Sequence, residues 1–441
     1  MGQYFGTDGV RGRAGEGKLS ADRLAELGAA LATFVGEGGS VAIGRDTRLS
    51  GPDIFDTLAR GLRRGGVNVR DLGILPTPGT ALMTSELGAR LGAMITASHN
   101  PWHDNGVKLF GPDGRKLPDA DQDRIEALIG EPGMEGRTPG EVLTVPDAAE
   151  RYIEHVVKAV GPEALKGLRV VADAANGAAG RVLPAVLERL GAVVDQIGTE
   201  TDGRFINDGV GSNNPATLAA RVLETGADAG VAVDGDADRI VLVDSRGRIA
   251  DGDQIIGRLA TQMSSRGSLR GGTVVATVMS NLGLERHVEA LGLAFERTKV
   301  GDRHVAKRMA EIGANLGGEA SGHILLTDHA RTGDGTLTAA LVLAGLRESG
   351  LGSEAYFHAF DPVPQTLVNV RYAGPSPLQN AQVADAIAAE QDALAGQGRI
   401  LVRASGTEPL IRIMVEGDNA ALVTATAEKM RAVVEGAAQQ G

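Results

Sequence analysis

Val41-Ala-Ile-Gly-Arg-Asp46, Arg169-Val-Val-Ala-Asp-Ala174 and Thr273-Val-Val-Ala-Thr-Val278 are three apolar, β-branched runs, each leading into a Gly-, Asn- or Ser-bearing turn and then a helical pattern. A second apolar run follows a glycine after each helix: Val67-Asn-Val-Arg-Asp-Leu-Gly73, Ala192-Val-Val-Asp-Gln-Ile-Gly198 and Leu293-Ala-Phe-Glu-Arg-Thr298. A third begins just beyond Gly88, Gly226 and Gly313 and ends in a polar loop: Ser98-His-Asn100, Asp234-Gly-Asp-Ala-Asp238 and Gly318-Glu-Ala-Ser-Gly-His323. One strand-helix-strand-helix-strand unit is therefore met three times. Such units predict α/β domains with mainly parallel strands, whose ligands gather beyond the carboxyl ends of the strands, so the three polar loops are expected to face one cleft. From about residue 362 the pattern changes: Gln365-Thr-Leu-Val-Asn-Val-Arg371 and Ile411-Arg-Ile-Met-Val-Glu416 read as strands, with a helix near Pro377 to Leu394. That remainder reads as a smaller α+β domain with an antiparallel sheet. The predicted fold is three similar mixed α/β domains, 1–150, 151–250 and 251–361, followed by an α+β domain, 362–441.

The 441 residues exceed what one hydrophobic core usually supports, in keeping with several domains. A net charge of −12, with no block of Lys or Arg to offset it, argues against nucleic-acid and anionic-membrane partners. No apolar run approaches the roughly 20 residues of a membrane span, and Met1-Gly-Gln-Tyr-Phe-Gly6 lacks the basic and apolar regions of an export signal, so the cytoplasm is the expected compartment. The absence of cysteine excludes disulfides, a thiol nucleophile and thiolate metal sites, so any metal must use oxygen or histidine ligands. The oligomeric state is not given by the sequence, and a homodimer is left open.

The loops carry chemistry. Thr96-Ala-Ser-His-Asn-Pro101 places Ser98 at the mouth of an apolar strand, where its hydroxyl is a candidate for phosphorylation, with His99, Asn100 and Lys108 expected around an Asp104-Asn-Gly-Val-Lys108 turn. Asp234, Asp236 and Asp238 alternate, and in extended chain they would share one side. Three carboxylates in five residues repel unless neutralised, and Mg²⁺, which takes carboxylates plus phosphate oxygen, fits best. An EF-hand is excluded, because its sixth and twelfth loop positions hold Arg239 and Ser245 in place of Gly and Glu. Glu319, Ser321 and His323 offer an acceptor, a hydroxyl and an imidazole suited to sugar hydroxyls and proton transfer. Arg403, Ser405, Gly406, Thr407 and Arg412 combine guanidinium forks, hydroxyls and backbone N–H groups, the usual means of holding a phosphate.

Together these loops, with Tyr4-Phe-Gly-Thr-Asp-Gly-Val-Arg-Gly12, Val300-Gly-Asp-Arg303 and Thr332-Gly-Asp-Gly335, resemble the α-D-phosphohexomutase superfamily from end to end, and lean towards its glucosamine-phosphate branch. The resemblance implies four domains around a cleft, a phosphoserine at Ser98, and Mg²⁺ held by Asp234, Asp236, Asp238 and a phosphoserine oxygen. It also implies Arg11 and Arg239 beside the phosphoserine, Lys108 and His323 as proton-transfer groups, sugar contacts at Glu319 and Ser321, and the non-transferring phosphate at Arg403, Ser405, Gly406, Thr407 and Arg412. The implied reaction interconverts glucosamine 6-phosphate and glucosamine 1-phosphate, primed by a hexose 1,6-bisphosphate. Phosphomannomutase or phosphoglucomutase activity is the nearest rival, and an aspartyl-phosphate phosphatase using Asp234 is a rival of another class. Two departures stand out: Ala237 occupies a metal-loop position often held by Gly, and Ala320 a variable sugar-loop position.

Overall fold

The computed structural model describes residues 4–6, 9–131, 137–405 and 408–440. The chain divides into two compact units, residues 1–277 with 298–359, and residues 278–297 with 360–441.

In the first unit the threefold pattern becomes three sheets built by one rule. The strand Ser40–Arg45 lies between Asn68–Ile74 and Leu91–Ile95, parallel to both. Arg169–Asp173 lies in the same way between Val193–Ile197 and Ala229–Val233, and Thr273–Thr277 runs parallel to Leu316–Gly318. Each third strand is then followed by an antiparallel return strand: Asp104–Phe110 after Leu91–Ile95, Ile240–Asp244 after Ala229–Val233, and Ile324–Leu326 after Leu316–Gly318. The parallel strands buried on both faces were the most legible, because such strands read as apolar runs; Leu91–Ile95, Ala229–Val233 and Thr273–Thr277 are buried at every residue. The return strands add an antiparallel pair beside the parallel strands of each sheet, giving the mixed character expected of these domains. The stretch 104–108, expected as a turn, is the start of one of them. It sits between Val10–Arg13 and Leu91–Ile95, and the polar Asp-Asn-Gly opening hides a strand whose pairing partners supply its order.

The rule has a functional consequence. The three polar loops singled out in the sequence, 96–103, 234–239 and 319–323, are the connections between a third strand and its return strand. They occupy equivalent places in the three sheets.

In the second unit Leu410–Gly417 is the central strand, antiparallel to Gln365–Arg371 and to Gly398–Ala404. Helices Ala381–Leu394 and Ala420–Gln440 pack on this sheet. The strand at 398–404 and the last helix were not among the expected elements. Val423, Ala427, Met430 and Val434 are buried and recur at helical spacing, a stripe that the surrounding alanines obscure.

Candidate active site

The first loop leaves the buried strand Leu91–Ile95 and folds back at once. Ser98 adopts a left-handed backbone, φ 53, which costs a non-glycine residue about 1–2 kcal/mol. The conformation is held by the Thr96 hydroxyl oxygen, which accepts the Ser98 N–H at 2.8 Å, and it turns the Ser98 hydroxyl to donate to Asp234 Oδ2 at 2.6 Å. Ser98 is 1% exposed. His99 Nδ1 lies 3.3 Å from the same hydroxyl. Burial first, then the Arg239 and Arg11 guanidiniums, push the His99 imidazole down to about 4, so at neutral pH it is uncharged. Both arginines therefore lie close enough to act on the serine's surroundings, Arg11 from the strand Val10–Arg13 and Arg239 from the end of the second loop, where its backbone N–H also donates to Asp234 Oδ1 at 3.1 Å.

The second loop is a tight turn and not the extended chain expected. Ala237 takes the left-handed conformation, φ 59, and this turn, not strand alternation, brings the carboxylates together. Its buried methyl offsets part of the backbone cost, which is how alanine serves where glycine would be conformationally freer. One oxygen from each of Asp234, Asp236 and Asp238 lies within 4.8 Å of the others, and all three residues are buried. Oδ1 of Asp236 has no hydrogen-bond partner. Buried acceptors in that state are costly, and the oxygen-only donor set suits a hard divalent cation. The turn is fixed by three different parts of the unit. Ala178 N–H donates to Gly235 O at 2.8 Å, Thr77 N–H to Asp236 O at 2.9 Å, and Gly335 N–H to Ala237 O at 3.0 Å. The latter two come from the first residues of helices Thr77–Glu86 and Gly335–Ser349, whose positive ends face the acidic loop.

Lys108, in the return strand of the first sheet, is 3% exposed and donates from Nζ to Asp236 Oδ2 and Asp238 Oδ2, each at 2.7 Å. Thr77 Oγ1 donates to Asp236 Oδ2 at 2.6 Å. The carboxylates consequently differ. Burial, then the charges of Asp238 and Asp236, push the Asp234 carboxyl up to about 7. Asp238 is held well below the ordinary range against the opposing effect of burial, because Lys108 and His323 stand beside it.

The third loop supplies His323, which is buried, with Nε2 3.0 Å from Asp302 Oδ2 and Nδ1 3.6 Å from Asp238 Oδ1. Burial alone would lower its pKa, but Asp302 and Asp238 hold it up at about 10, so the ring is a cation among carboxylates. Asp302 also takes Lys116 Nζ at 2.5 Å. Glu319 is partly buried and its Oε1 accepts the Gly301 N–H at 3.0 Å, while Ser321 is exposed.

In the second unit, Arg403 and Arg412 face each other across the hairpin formed by 398–404 and 410–417. Burial and the neighbouring Arg412 lower the Arg403 pKa, and the Nε atoms of both residues are buried without a partner. Two adjacent guanidiniums with unused donors suit an anion. Ser405 N–H closes the hairpin on Leu410 O at 2.7 Å. Gly406 and Thr407 lie outside the described residues.

Profiles for all four domains of one family match in order. Phosphoglucomutase/phosphomannomutase alpha/beta/alpha domain I matches residues 2–134, domain II residues 150–247, domain III residues 251–361, and the C-terminal domain residues 367–433. The chain belongs to the phosphoglucomutase/phosphomannomutase family. Among its relatives is phosphoglucosamine mutase of Novosphingobium aromaticivorans, 50% identical with 99% of each chain covered. The phosphoglucosamine mutase of Caulobacter vibrioides is 49% identical, over 98% of this chain and 99% of the relative. A phosphoglucomutase/phosphomannomutase family protein of Burkholderia thailandensis has a similar structure, with a TM-score of 0.83, 27% identity and coverage of 98% and 97%. N-acetylphosphoglucosamine mutase of Aspergillus fumigatus, solved with GlcNAc-6P and magnesium, shares the fold at a TM-score of 0.68 and 18% identity, over 99% of this chain and 96% of that one.

Sequence reasoning about this phosphohexomutase missed Arg48, Thr77, Lys116, Asn207 and Asp302. Asp302 stood inside a quoted motif, but only the fold shows that it faces His323. Thr77, Arg48 and Asn207 carry no local signal, because their partners lie tens of residues or more away in the chain. Gly235 is also constrained: a Cβ there would meet Ser98 O at 2.7 Å, Ile206 Cδ1 at 2.8 Å and Asn207 Nδ2 at 2.9 Å. Gly235→Ala is expected to cost about 1–3 kcal/mol in urea unfolding and to lower kcat about 100-fold by displacing the serine loop from the carboxylates, with KM nearly unchanged in steady-state assays.

Proposed function

We propose that the chain interconverts glucosamine 6-phosphate and glucosamine 1-phosphate, the activity for which its near full-length bacterial relatives are named. One observation carries the reading: a serine hydroxyl, strained and buried, held 2.6 Å from a carboxylate of a buried acidic triad. In the first half-reaction a sugar hydroxyl oxygen attacks phosphorus of phospho-Ser98. The bond to Ser98 Oγ breaks, the sugar hydroxyl loses its proton to a base, and Ser98 Oγ regains one. The resulting 1,6-bisphosphate turns over and returns its other phosphate to Ser98 by the same steps in reverse. Lys108 and His323 are the groups assigned to proton movement, with Lys108 bound to the carboxylates and His323 held by Asp302. His99, uncharged, is assigned a supporting contact to the serine. Arg11 and Arg239 offset phosphoryl charge, Glu319 and Ser321 contact the sugar, and Arg403, Ser405, Gly406, Thr407 and Arg412 hold the phosphate that is not being transferred. Asp234, Asp236 and Asp238, with a phosphoserine oxygen, would hold Mg²⁺, which supplies neutralisation of the phosphoryl charge. Hexose 1,6-bisphosphate is the expected activator and the cytoplasm the expected compartment. Among the described residues no helix is long and apolar enough to cross a membrane.

The geometry disfavours Asp234 as a phosphatase nucleophile, because Oδ2 takes the Ser98 hydroxyl and Oδ1 the Arg239 N–H. Turnover of glucosamine, glucose and mannose phosphates, compared as kcat/KM, tests the sugar assignment. The expected order places the glucosamine esters first, and a preference for glucose or mannose esters would overturn it.

Metal removal has an expected pH signature. A carboxyl raised from 3.8 to about 7 in the folded chain contributes stability below about pH 4 that is lost as pH rises through 7. Metal-free protein should therefore lose thermal stability relative to Asp234→Asn across that window. Mg²⁺ should restore it above about pH 7, with binding tightening as Asp234 deprotonates. Thermal unfolding with and without chelator reads both effects.

A further inference from the structure

We propose that Arg48 and Asn207 are positioning residues for the phosphoryl-carrying serine, forming a two-sided clamp on the backbone of the Ser98 loop. The inference rests on the reading of Ser98 given above. Arg48 is fully buried, an unusual place for a guanidinium, and four of its hydrogen bonds go to main-chain carbonyls of this loop and of the strand residue that closes it. Its terminal nitrogens donate to Ser98 O at 2.9 Å, Asn100 O at 2.8 Å and Asp104 O at 2.9 Å, and also to Pro101 O. Its Nε donates at 3.0 Å to Asp46 Oδ2. That oxygen also accepts the Thr96 hydroxyl at 2.7 Å, and Thr96 Oγ1 in turn accepts the Ser98 N–H. Both backbone polar groups of Ser98 thus lead back to Arg48, one directly and one through Asp46 and Thr96.

Asn207 grips the loop from the second sheet's side. Its Nδ2 lies 2.9 Å from Ser98 O and 3.2 Å from Asn100 O, the two carbonyls that Arg48 also holds. Like Ser98, it adopts a left-handed backbone, φ 60. Of the six non-glycine residues with positive φ among those described, Ser98, Ala237, Asn207, Ala175 and Asn176 are linked by contact: Asn207 N–H donates to Ala175 O at 2.8 Å, and Ala178, just past Asn176, donates to the metal loop. Backbone strain persists only where surrounding structure over-determines it, and here the over-determination is the clamp. Its task is to keep the serine oxygen at one place relative to the carboxylates while the phosphoryl group leaves and returns. A lysine cannot replace Arg48, since an ammonium lacks the planar fork that reaches four carbonyls.

The test uses Arg48→Lys and Asn207→Gly in the full-length protein. Glycine keeps the left-handed backbone available and removes the side chain that carries the amide. Rates are taken per folded molecule, well below the unfolding midpoint, with Ser98 phosphorylation followed by intact mass. Expected are a fall in kcat of about 100-fold for Arg48→Lys and about 10-fold for Asn207→Gly, with KM for the sugar phosphate within about threefold. In the double variant the losses should be less than multiplicative, because both side chains hold the same carbonyls. Wild-type kcat in both folded variants would overturn the clamp, as would losses appearing only in KM or only as unfolded protein. Failure of the underlying reading shows separately, as unchanged turnover in Ser98→Ala or absence of phosphate on Ser98 in the wild-type chain.

Discussion

Ser98→Ala is expected to lower kcat for the glucosamine phosphates by about 10⁴-fold or more, the scale on which loss of a covalent nucleophile is felt, while the chain stays folded. The substitution removes one oxygen. Alanine meets the same left-handed backbone as serine, and the Arg48 and Asn207 contacts to the Ser98 carbonyl do not involve the side chain. What is lost structurally is the hydrogen bond to Asp234 Oδ2. An unfolding free energy lower by no more than about 1–2 kcal/mol is the consequence. Coupled steady-state assays and intact-mass measurement with peptide mapping read the two halves of the expectation. The variant should carry no phosphate and turn over no sugar phosphate. Interconversion at the normal rate would refute the phosphoserine mechanism.

Lys108→Met has the next largest expected effect and separates two roles of one side chain. Buried Nζ neutralises Asp236 and Asp238 together, and removing one partner of a buried ion pair typically costs about 3–5 kcal/mol because the charge left behind is uncompensated. Methionine preserves the volume, so the loss reports charge and not a cavity. Metal-free Lys108→Met should unfold at distinctly lower urea concentration than wild type, and Mg²⁺ should recover more stability in the variant than in wild type, since a cation can take over the neutralisation. Catalysis should not recover with stability. If Lys108 moves a proton, kcat stays about 10²- to 10⁴-fold down even with Mg²⁺ present. Full recovery of kcat by Mg²⁺ would restrict Lys108 to a charge-balancing role.

Much of this protein was legible in its sequence for reasons that can be named. Parallel strands buried on both faces must be apolar throughout, so Leu91–Ile95, Ala229–Val233 and Thr273–Thr277 declared themselves, and with them the threefold organisation. Ser98, the aspartate trio and His323 could be singled out as candidates because the third strand of each unit ends in its polar loop. The return strand at 104–110 was missed because Asp104-Asn-Gly106 has the composition of a turn, and only pairing with residues far away in the chain makes it a strand.

The residue types needed for phosphoryl chemistry, and their order along the chain, were determined by the sequence alone. Tertiary structure decided what each of them is. A turn closed by N–H groups from three separate segments gathers the aspartates, and Lys108 becomes their counter-ion only when a strand from another sheet is laid beside the loop. His323 becomes a cation through Asp302 and Asp238, and Arg48 acquires its grip on a loop some 50 residues on. Charge state and position depend on what stands within a few ångströms, and for these groups the neighbours come from distant parts of the chain.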